Sequence, residues 1–139
     1  MGVVIDSSVF IASERRRFDW IRFHSQLLDD ALYVASITVA ELLHGVHRAD
    51  SQERRTKRSN FVAGVEAQFP VLSFGRDEAA EYANIWAELS MQGKLIGTHD
   101  MMIAAIARRG GHRIATLNGG EFRRVPELDV LDAEPYRTK

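Results

Sequence analysis

The chain has 139 residues, of which 45% are hydrophobic and 27% charged, and 18 Lys+Arg against 19 Asp+Glu give a formal net charge of −1. This length predicts a single domain spanning residues 1–139, and the near-neutral charge argues against a globally basic nucleic-acid binder. The lack of cysteine excludes disulfides and thiolate metal sites, and the lack of a signal-peptide pattern or long apolar stretch leads us to expect a cytoplasmic protein without a membrane partner.

Short apolar runs alternate with amphipathic segments along the chain. We predict strands at residues 3–5, 32–35, 71–74, 113–117 and 129–131, and helices at 18–30, 38–49, 51–69, 77–91 and 100–109. Strands separated by helices predict an α/β fold in which helices cover both faces of a parallel sheet. Sites in such sheets form beyond the carboxyl ends of the strands, where Asp6 and the turn at 118–121 are expected.

Asp6 and Glu41 each have a structural and a functional interpretation. Asp6 follows the first apolar run, and it is either a helix N-cap or an active-site acid. Glu41 stands three residues after Thr38, which matches a capping box, but its neighbours are mostly apolar. A carboxylate in such surroundings is partly desolvated and would be stabilised by a cation. Neither acid indicates a function when taken alone.

Asp100 and Glu121 are equally ambiguous as single residues. Asp100 either favours the positive end of its helix dipole, with Thr98 as the cap, or acts in catalysis. Glu121 either begins a short surface helix or joins the other acids. If the four acids meet, two carboxylates ~5 Å apart at an effective dielectric constant of ~20 repel each other by roughly 3 kcal/mol. A divalent cation removes this repulsion, and oxygen ligands favour magnesium or manganese over zinc.

Four segments resemble the motifs of PIN domains, and within that family those of VapC-like toxins. These are residues 3–12 (VVIDSSVFIA), 34–46 (VASITVAELLHGV), 95–107 (LIGTHDMMIAAIA) and 115–128 (ATLNGGEFRRVPEL). They supply Asp6, Glu41, Asp100 and Glu121 in turn. The resemblance spans nearly the whole chain, and it departs from many PIN nucleases in having glutamate at the last position.

The resemblance implies a three-layer α/β/α fold around a short parallel sheet of four to five strands. It also implies a nuclease that needs Mg²⁺, for which Mn²⁺ can substitute, and that cleaves structured RNA such as transfer or ribosomal RNA. The four acids would be the catalytic and metal-binding residues, with Ser8, Thr116 and Asn118 in support. A VapB-like antitoxin would inhibit the enzyme, and toxins of this kind usually form homodimers.

Other interpretations remain open at this point. A non-catalytic PIN-like module that binds RNA or a partner would have the same fold, and only the site can separate the two. Haloacid dehalogenase-like phosphatases also place an aspartate after the first strand, but they need a second one where this chain has Ser8. Among the basic clusters, Arg15, Arg16 and Arg17 lie closest after Asp6 and are candidates for contact with RNA phosphates. His99 has no assigned role.

Overall fold

The computed structural model describes residues 2–139 and contains a parallel sheet of five strands in the order β3-β2-β1-β4-β5. The strands are β1 (Gly2–Ile5), β2 (Ala31–Ala35), β3 (Val71–Leu72), β4 (Arg113–Thr116) and β5 (Val130–Asp132). β1 lies in the centre, and Val4 is paired with Tyr33 on one side and with Ile114 on the other. The carboxyl ends of β1 and β4 therefore lie side by side.

Seven α-helices and one 3-10 helix connect and follow the strands within residues 2–139. The helices are α1 (Ser7–Glu14), α2 (Trp20–Ser25), α3 (Ser36–His47), α4 (Gln52–Gln68), α5 (Arg76–Met91), α6 (Thr98–Gly110) and α7 (Gly119–Phe122), and the 3-10 helix is Glu134–Tyr136. Two of them, α1 and α3, begin immediately after β1 and β2. None of the helices in this part of the chain is long and apolar enough to cross a lipid bilayer.

Apolar side chains fill both faces of the sheet. Because successive side chains of a strand point to opposite faces, Val3 and Ile5 join one cluster and Val4 the other. The first cluster contains side chains of α1, α2 and α4, and the second contains side chains of α5 and α6. The predicted three-layer α/β/α architecture with a parallel sheet is thus confirmed.

The helix predicted over residues 18–30 is much shorter than expected. Asp19 caps α2 by accepting a hydrogen bond from the backbone N of Arg22, and the helix ends at Ser25. The predicted apolar face is wrong at two positions, since Ile21 is 86% exposed and Leu28 is 83% exposed. Phe23 is buried instead. The ring of Phe23 packs edge-on against other aromatic rings, and these contacts anchor the segment.

Candidate active site

Asp6 is fixed in place at the carboxyl end of β1. Its side chain is only 5% exposed, and its Oδ2 accepts hydrogen bonds from Ser8 Oγ at 2.8 Å and from Thr116 Oγ1 at 2.9 Å. Asp6 is also the N-cap of α1, where its carboxylate accepts from the backbone N of Ser8 at 3.4 Å. The structural interpretation of Asp6 therefore holds, but capping leaves the two hydroxyl contacts unexplained.

The end of β4 is joined to the start of α1 through the same hydroxyl groups. Thr116 Oγ1 accepts from the backbone N of Asn118 at 2.9 Å, and Ser8 Oγ accepts from the backbone N of Leu117 at 3.0 Å. These bonds orient both hydroxyls so that they donate to Asp6. Ser8 and Thr116 thus both hold the carboxylate of Asp6. Asn118 contributes through its backbone, and its side chain is exposed.

Glu41 projects from the middle of α3, and the capping-box interpretation is wrong. The helix begins at Ser36, with Ala35 as an N-cap that makes no side-chain hydrogen bond, so Thr38 lies inside the first turn. Glu41 is therefore too far into the helix to fold back onto the cap. Its Oε2 lies 3.7 Å from Nδ1 of His99, while its Oε1 is buried without a hydrogen-bond partner among residues 2–139.

The surroundings of Glu41 disfavour its negative charge. Burial raises the pKa of this carboxyl above its usual value, and the charge of Asp6 raises it further. The contacts with His99 and with the Ser7 hydroxyl act in the opposite direction but do not cancel the shift. Glu41 is thus a desolvated carboxylate that lacks a strong cationic partner.

Asp100 and Glu121 meet above the start of α6. Asp100 lies in the first turn of this helix, whose N-cap is Gly97 and not Thr98, and Glu121 Oε1 accepts from the backbone N of Gly97 at 3.1 Å. Burial, followed by hydrogen bonding to Glu121, raises the pKa of Asp100 from 3.8 to about 7. The charges of Asp6, Glu121 and Glu41 add to this increase. The other three predicted acids therefore all lie within electrostatic reach of Asp100.

The carboxylates are neighbours, but they do not form a finished coordination shell. Within residues 2–139, no three His, Asp or Glu side chains are arranged so that they could hold a metal ion together. Glu41 is turned toward His99, and Glu121 is engaged with the backbone of Gly97. This spread agrees with the mutual repulsion of like charges, which at ~5 Å costs roughly 3 kcal/mol per pair.

The residues that are present nevertheless fit a hard divalent cation. All four donors are carboxylates, and this is the ligand chemistry that magnesium and manganese prefer. The buried Oε1 of Glu41 has no partner in the described part of the chain, and Asp100 retains its proton up to about pH 7. Both features indicate that positive charge is needed at this place.

Two cavities flank the acids, and the three consecutive arginines divide between different surfaces. Arg15 lines a cavity of about 400 Å³ together with Glu41, and it also lines a second cavity that contains Arg17. Arg16 has a φ of 58° and lies against a different surface, beside α4. Arg58 was not expected near the acids, but it lines the first cavity and donates to the backbone O of Gly45 at 2.7 Å. In the sequence it belongs to a basic cluster on a charged helix, and nothing sets it apart from its neighbours.

The sequence is similar to a known family of proteins and to several of its members. The PIN domain family profile matches residues 3–128. Ribonuclease VapC1 of Rickettsia felis is 38% identical over 134 residues, covering 94% of this chain and 96% of the relative. The tRNA(fMet)-specific endonuclease VapC of Shigella flexneri is 30% identical over 129 residues, covering 93% and 96%.

A solved structure shows the same architecture. The crystal structure of DNA-bound VapBC from Salmonella typhimurium contains a chain with a TM-score of 0.85 and 26% identity, and the match covers 95% of this chain and 98% of that one. The family expected from the four motifs is thereby confirmed. With a profile match over most of its length and relatives aligned almost end to end, the chain belongs to the PIN domain family and, within it, to the VapC group.

Proposed function

We propose that the protein is a metal-dependent endoribonuclease that acts as the toxin of a toxin–antitoxin pair and consists of one PIN-like domain over residues 1–139. The observation that carries this proposal is that Asp6, Glu41 and Glu121 all lie close enough to Asp100 to act on it, and together with burial they raise its pKa. Four acids from distant parts of the chain are thus brought to one edge of the sheet, and a purely structural role does not account for their meeting. The names of its VapC relatives support RNA as the substrate.

The four carboxylates have different roles in this proposal. Asp6 is held rigidly by Ser8 and Thr116, so it is the fixed ligand of the ion, with Glu41 and Asp100 beside it. Glu121 hydrogen-bonds to Asp100 and the backbone of Gly97, and it therefore acts mainly by orienting this side of the site. When bound, Mg²⁺ or Mn²⁺ would supply Lewis-acid activation of the phosphodiester and of the attacking water.

The substrate and partner are proposed from the relatives. The name of the Shigella flexneri protein specifies a transfer RNA, which supports structured RNA such as transfer or ribosomal RNA as the substrate of this chain. The Salmonella typhimurium structure is named as a VapBC complex, which supports a VapB-like antitoxin as the partner. We also propose that the protein forms a homodimer and is located in the cytoplasm, where such RNAs are found.

A non-catalytic PIN-like module that binds RNA or a partner is the alternative. Such a module has no need for a desolvated Glu41 or for a carboxylate fixed by two hydroxyl groups. The site therefore favours catalysis. The two functions differ in one measurable respect, because only the enzyme loses its activity when the charge of Asp6 is removed while the fold is kept.

Asp6→Asn is the decisive variant, because asparagine caps helices about as well as aspartate. Purified protein, freed of antitoxin, is incubated with transfer RNA and ribosomal RNA in magnesium or manganese. We expect the wild type to cleave and to stop when EDTA is added, and Asp6→Asn to be inactive yet folded by circular dichroism. Asp29→Asn, at an exposed turn, is the matched control. Full activity of Asp6→Asn, or cleavage that persists in EDTA, would refute the proposal.

A further inference from the structure

The second cavity beside the acids is strongly basic. It has a volume of about 300 Å³ and is lined by Arg15, Arg17 and Arg137 together with Ser8 and Asn118. Arg15 and Arg17 follow the end of α1, whereas Arg137 comes from the C-terminal segment. Three arginines from two distant parts of the chain therefore line one cavity.

Backbone pairing holds Arg137 next to the residues that follow α1. Phe18 and Arg137 form an antiparallel bridge. On either side of it, the backbone N of Asp19 donates to the backbone O of Tyr136 at 2.8 Å, and the backbone N of Thr138 donates to the backbone O of Arg17 at 2.9 Å. The position of Arg137 is thus set by the fold and not by a mobile chain end.

The positive charge in this cavity is largely uncompensated. Within residues 2–139, neither Arg15 nor Arg17 has a carboxylate at ion-pair distance. Arg137 Nη2 lies 2.7 Å from Glu134 Oε2, and both of these side chains are about half exposed. An exposed pair of this kind contributes little and is easily exchanged for another anion. The cavity therefore attracts an anionic group.

The basic cavity and the acidic centre share a wall. Ser8 lines the cavity and donates its hydroxyl hydrogen to Asp6 at 2.8 Å, and Arg15 lines both this cavity and the one that contains Glu41. When one phosphodiester of an RNA strand lies at the acids, the neighbouring phosphates of that strand lie on either side of them. The cavity lined by Arg15, Arg17 and Arg137 is on one of these sides, and its positive charge can bind such a phosphate.

We propose that Arg15, Arg17 and Arg137 bind a backbone phosphate of the RNA next to the phosphodiester that is cleaved. This inference rests on the proposed function, since it takes RNA as the substrate. Guanidinium groups donate paired hydrogen bonds that match the geometry of phosphate oxygens. Contacts with a phosphate do not involve the bases, so this cavity would increase the affinity for RNA and fix the register of the strand without selecting a sequence. An acidic peptide is the competing occupant, and the experiment distinguishes the two.

The test measures RNA binding separately from cleavage. Fluorescein-labelled oligouridylate is titrated with protein carrying Asp6→Asn, so that the RNA remains intact, and fluorescence anisotropy gives Kd at several salt concentrations. We expect Arg17→Gln and Arg137→Gln each to raise Kd roughly three- to tenfold. Each variant should also make the negative slope of log K against log salt less steep by about 0.7, which is the contribution of one phosphate contact to a single strand. Arg17→Lys should restore most of the slope but only part of the affinity.

Arg109→Gln is the matched control. Arg109 is an exposed arginine at the end of α6 opposite to Asp100, and its only ion pair is with exposed Asp77 at 3.5 Å within residues 2–139. The same loss of charge at this position should leave both Kd and the salt slope unchanged. Thermal unfolding of all variants shows whether the fold is retained.

Several outcomes would overturn the inference. One is that Arg17→Gln and Arg137→Gln bind oligouridylate like Arg109→Gln. Another is that they bind RNA normally but lose affinity for the antitoxin, which would make the cavity a protein contact. If wild-type protein cleaves no RNA, the proposed function fails, but the binding measurement still decides whether the cavity holds RNA phosphate.

Discussion

Replacing Asp100 with asparagine should stabilise the metal-free protein while abolishing its activity. The ordinary pKa of this carboxyl is 3.8, and its surroundings raise the value to about 7. The unfolded chain therefore releases the proton near pH 4, whereas the folded protein keeps it until about pH 7. The stability associated with the neutral form is fully present below pH 4 and is lost as the pH rises through 7.

The size of the effect follows from the same values. For a fully buried group, an increase from 3.8 to about 7 would correspond to roughly 4 kcal/mol, because each tenfold change in proton affinity is worth about 1.4 kcal/mol. Asp100 is only half-buried, so solvent screening reduces this to about 1–2 kcal/mol. In a domain of this size, that free energy raises the melting temperature by roughly 3–8 °C.

The assay is thermal unfolding in EDTA at pH 8 and at pH 4. Asp100→Asn should melt above the wild type at pH 8, and the difference should nearly vanish at pH 4, where Asp100 is already neutral. Asp29→Asn, in an exposed turn, should show no such pH-dependent gain. An equal difference at both pH values, or destabilisation at pH 8, would refute the reasoning, because the charge of Asp100 would then not be the source of the cost.

Three further predictions concern the same site. Magnesium should raise the melting temperature of the wild type but not of Asp100→Asn, since an ion bound only by the native state stabilises it; equal shifts in scanning fluorimetry would contradict this. Thr116→Val should cost about 1–3 kcal/mol in urea unfolding and slow RNA cleavage, because Asp6 and the amide of Asn118 lose a buried partner. Thr116→Ser should behave like the wild type, and wild-type stability of the valine variant would count against the network. Glu121→Gln should lower the pKa of Asp100 in an NMR titration; an unchanged value would show that Glu121 does not act on it.

The sequence predicted the sheet and its acids well because both depend on local pattern. The apolar run before Asp6 and the one before Asn118 define two strands, and parallel strands bring their carboxyl ends together whatever the loops do. The parallel sheet and the three layers followed from the alternation of strands and helices, whereas the order of the strands was not predicted. This is why Asp6 and the turn that begins at Asn118 could be placed at the carboxyl edge of the sheet without knowledge of any contact.

What the sequence did not predict concerns the exact end of a helix and contacts between distant residues. The start of α3 at Ser36, and not at Thr38, changes Glu41 from an apparent cap residue into an inward-facing acid, and a difference of two residues is within the ordinary error of a predicted helix end. Ile21 was assigned to a buried face, but the aromatic contacts of Phe23 set the orientation of α2. Arg137 joins Arg17 only through a long-range backbone pairing, for which the sequence carries no local signal.

The site combines a carboxylate that is fixed by hydrogen bonds, Asp6, with two carboxylates whose negative charge is disfavoured, Glu41 and Asp100, and this supports the proposed metal dependence. Asp6 is fixed by two hydroxyl groups, so its position does not depend on a ligand. Glu41 and Asp100 carry the electrostatic cost, since burial and neighbouring acids raise the pKa of each. A divalent cation would remove that cost. The same unrelieved charge would repel an RNA phosphate when no ion is bound, which links substrate binding at the acids to metal binding. The proposed phosphate contact in the cavity lined by Arg15, Arg17 and Arg137 would offset this repulsion, because positive charge lies there next to the acids.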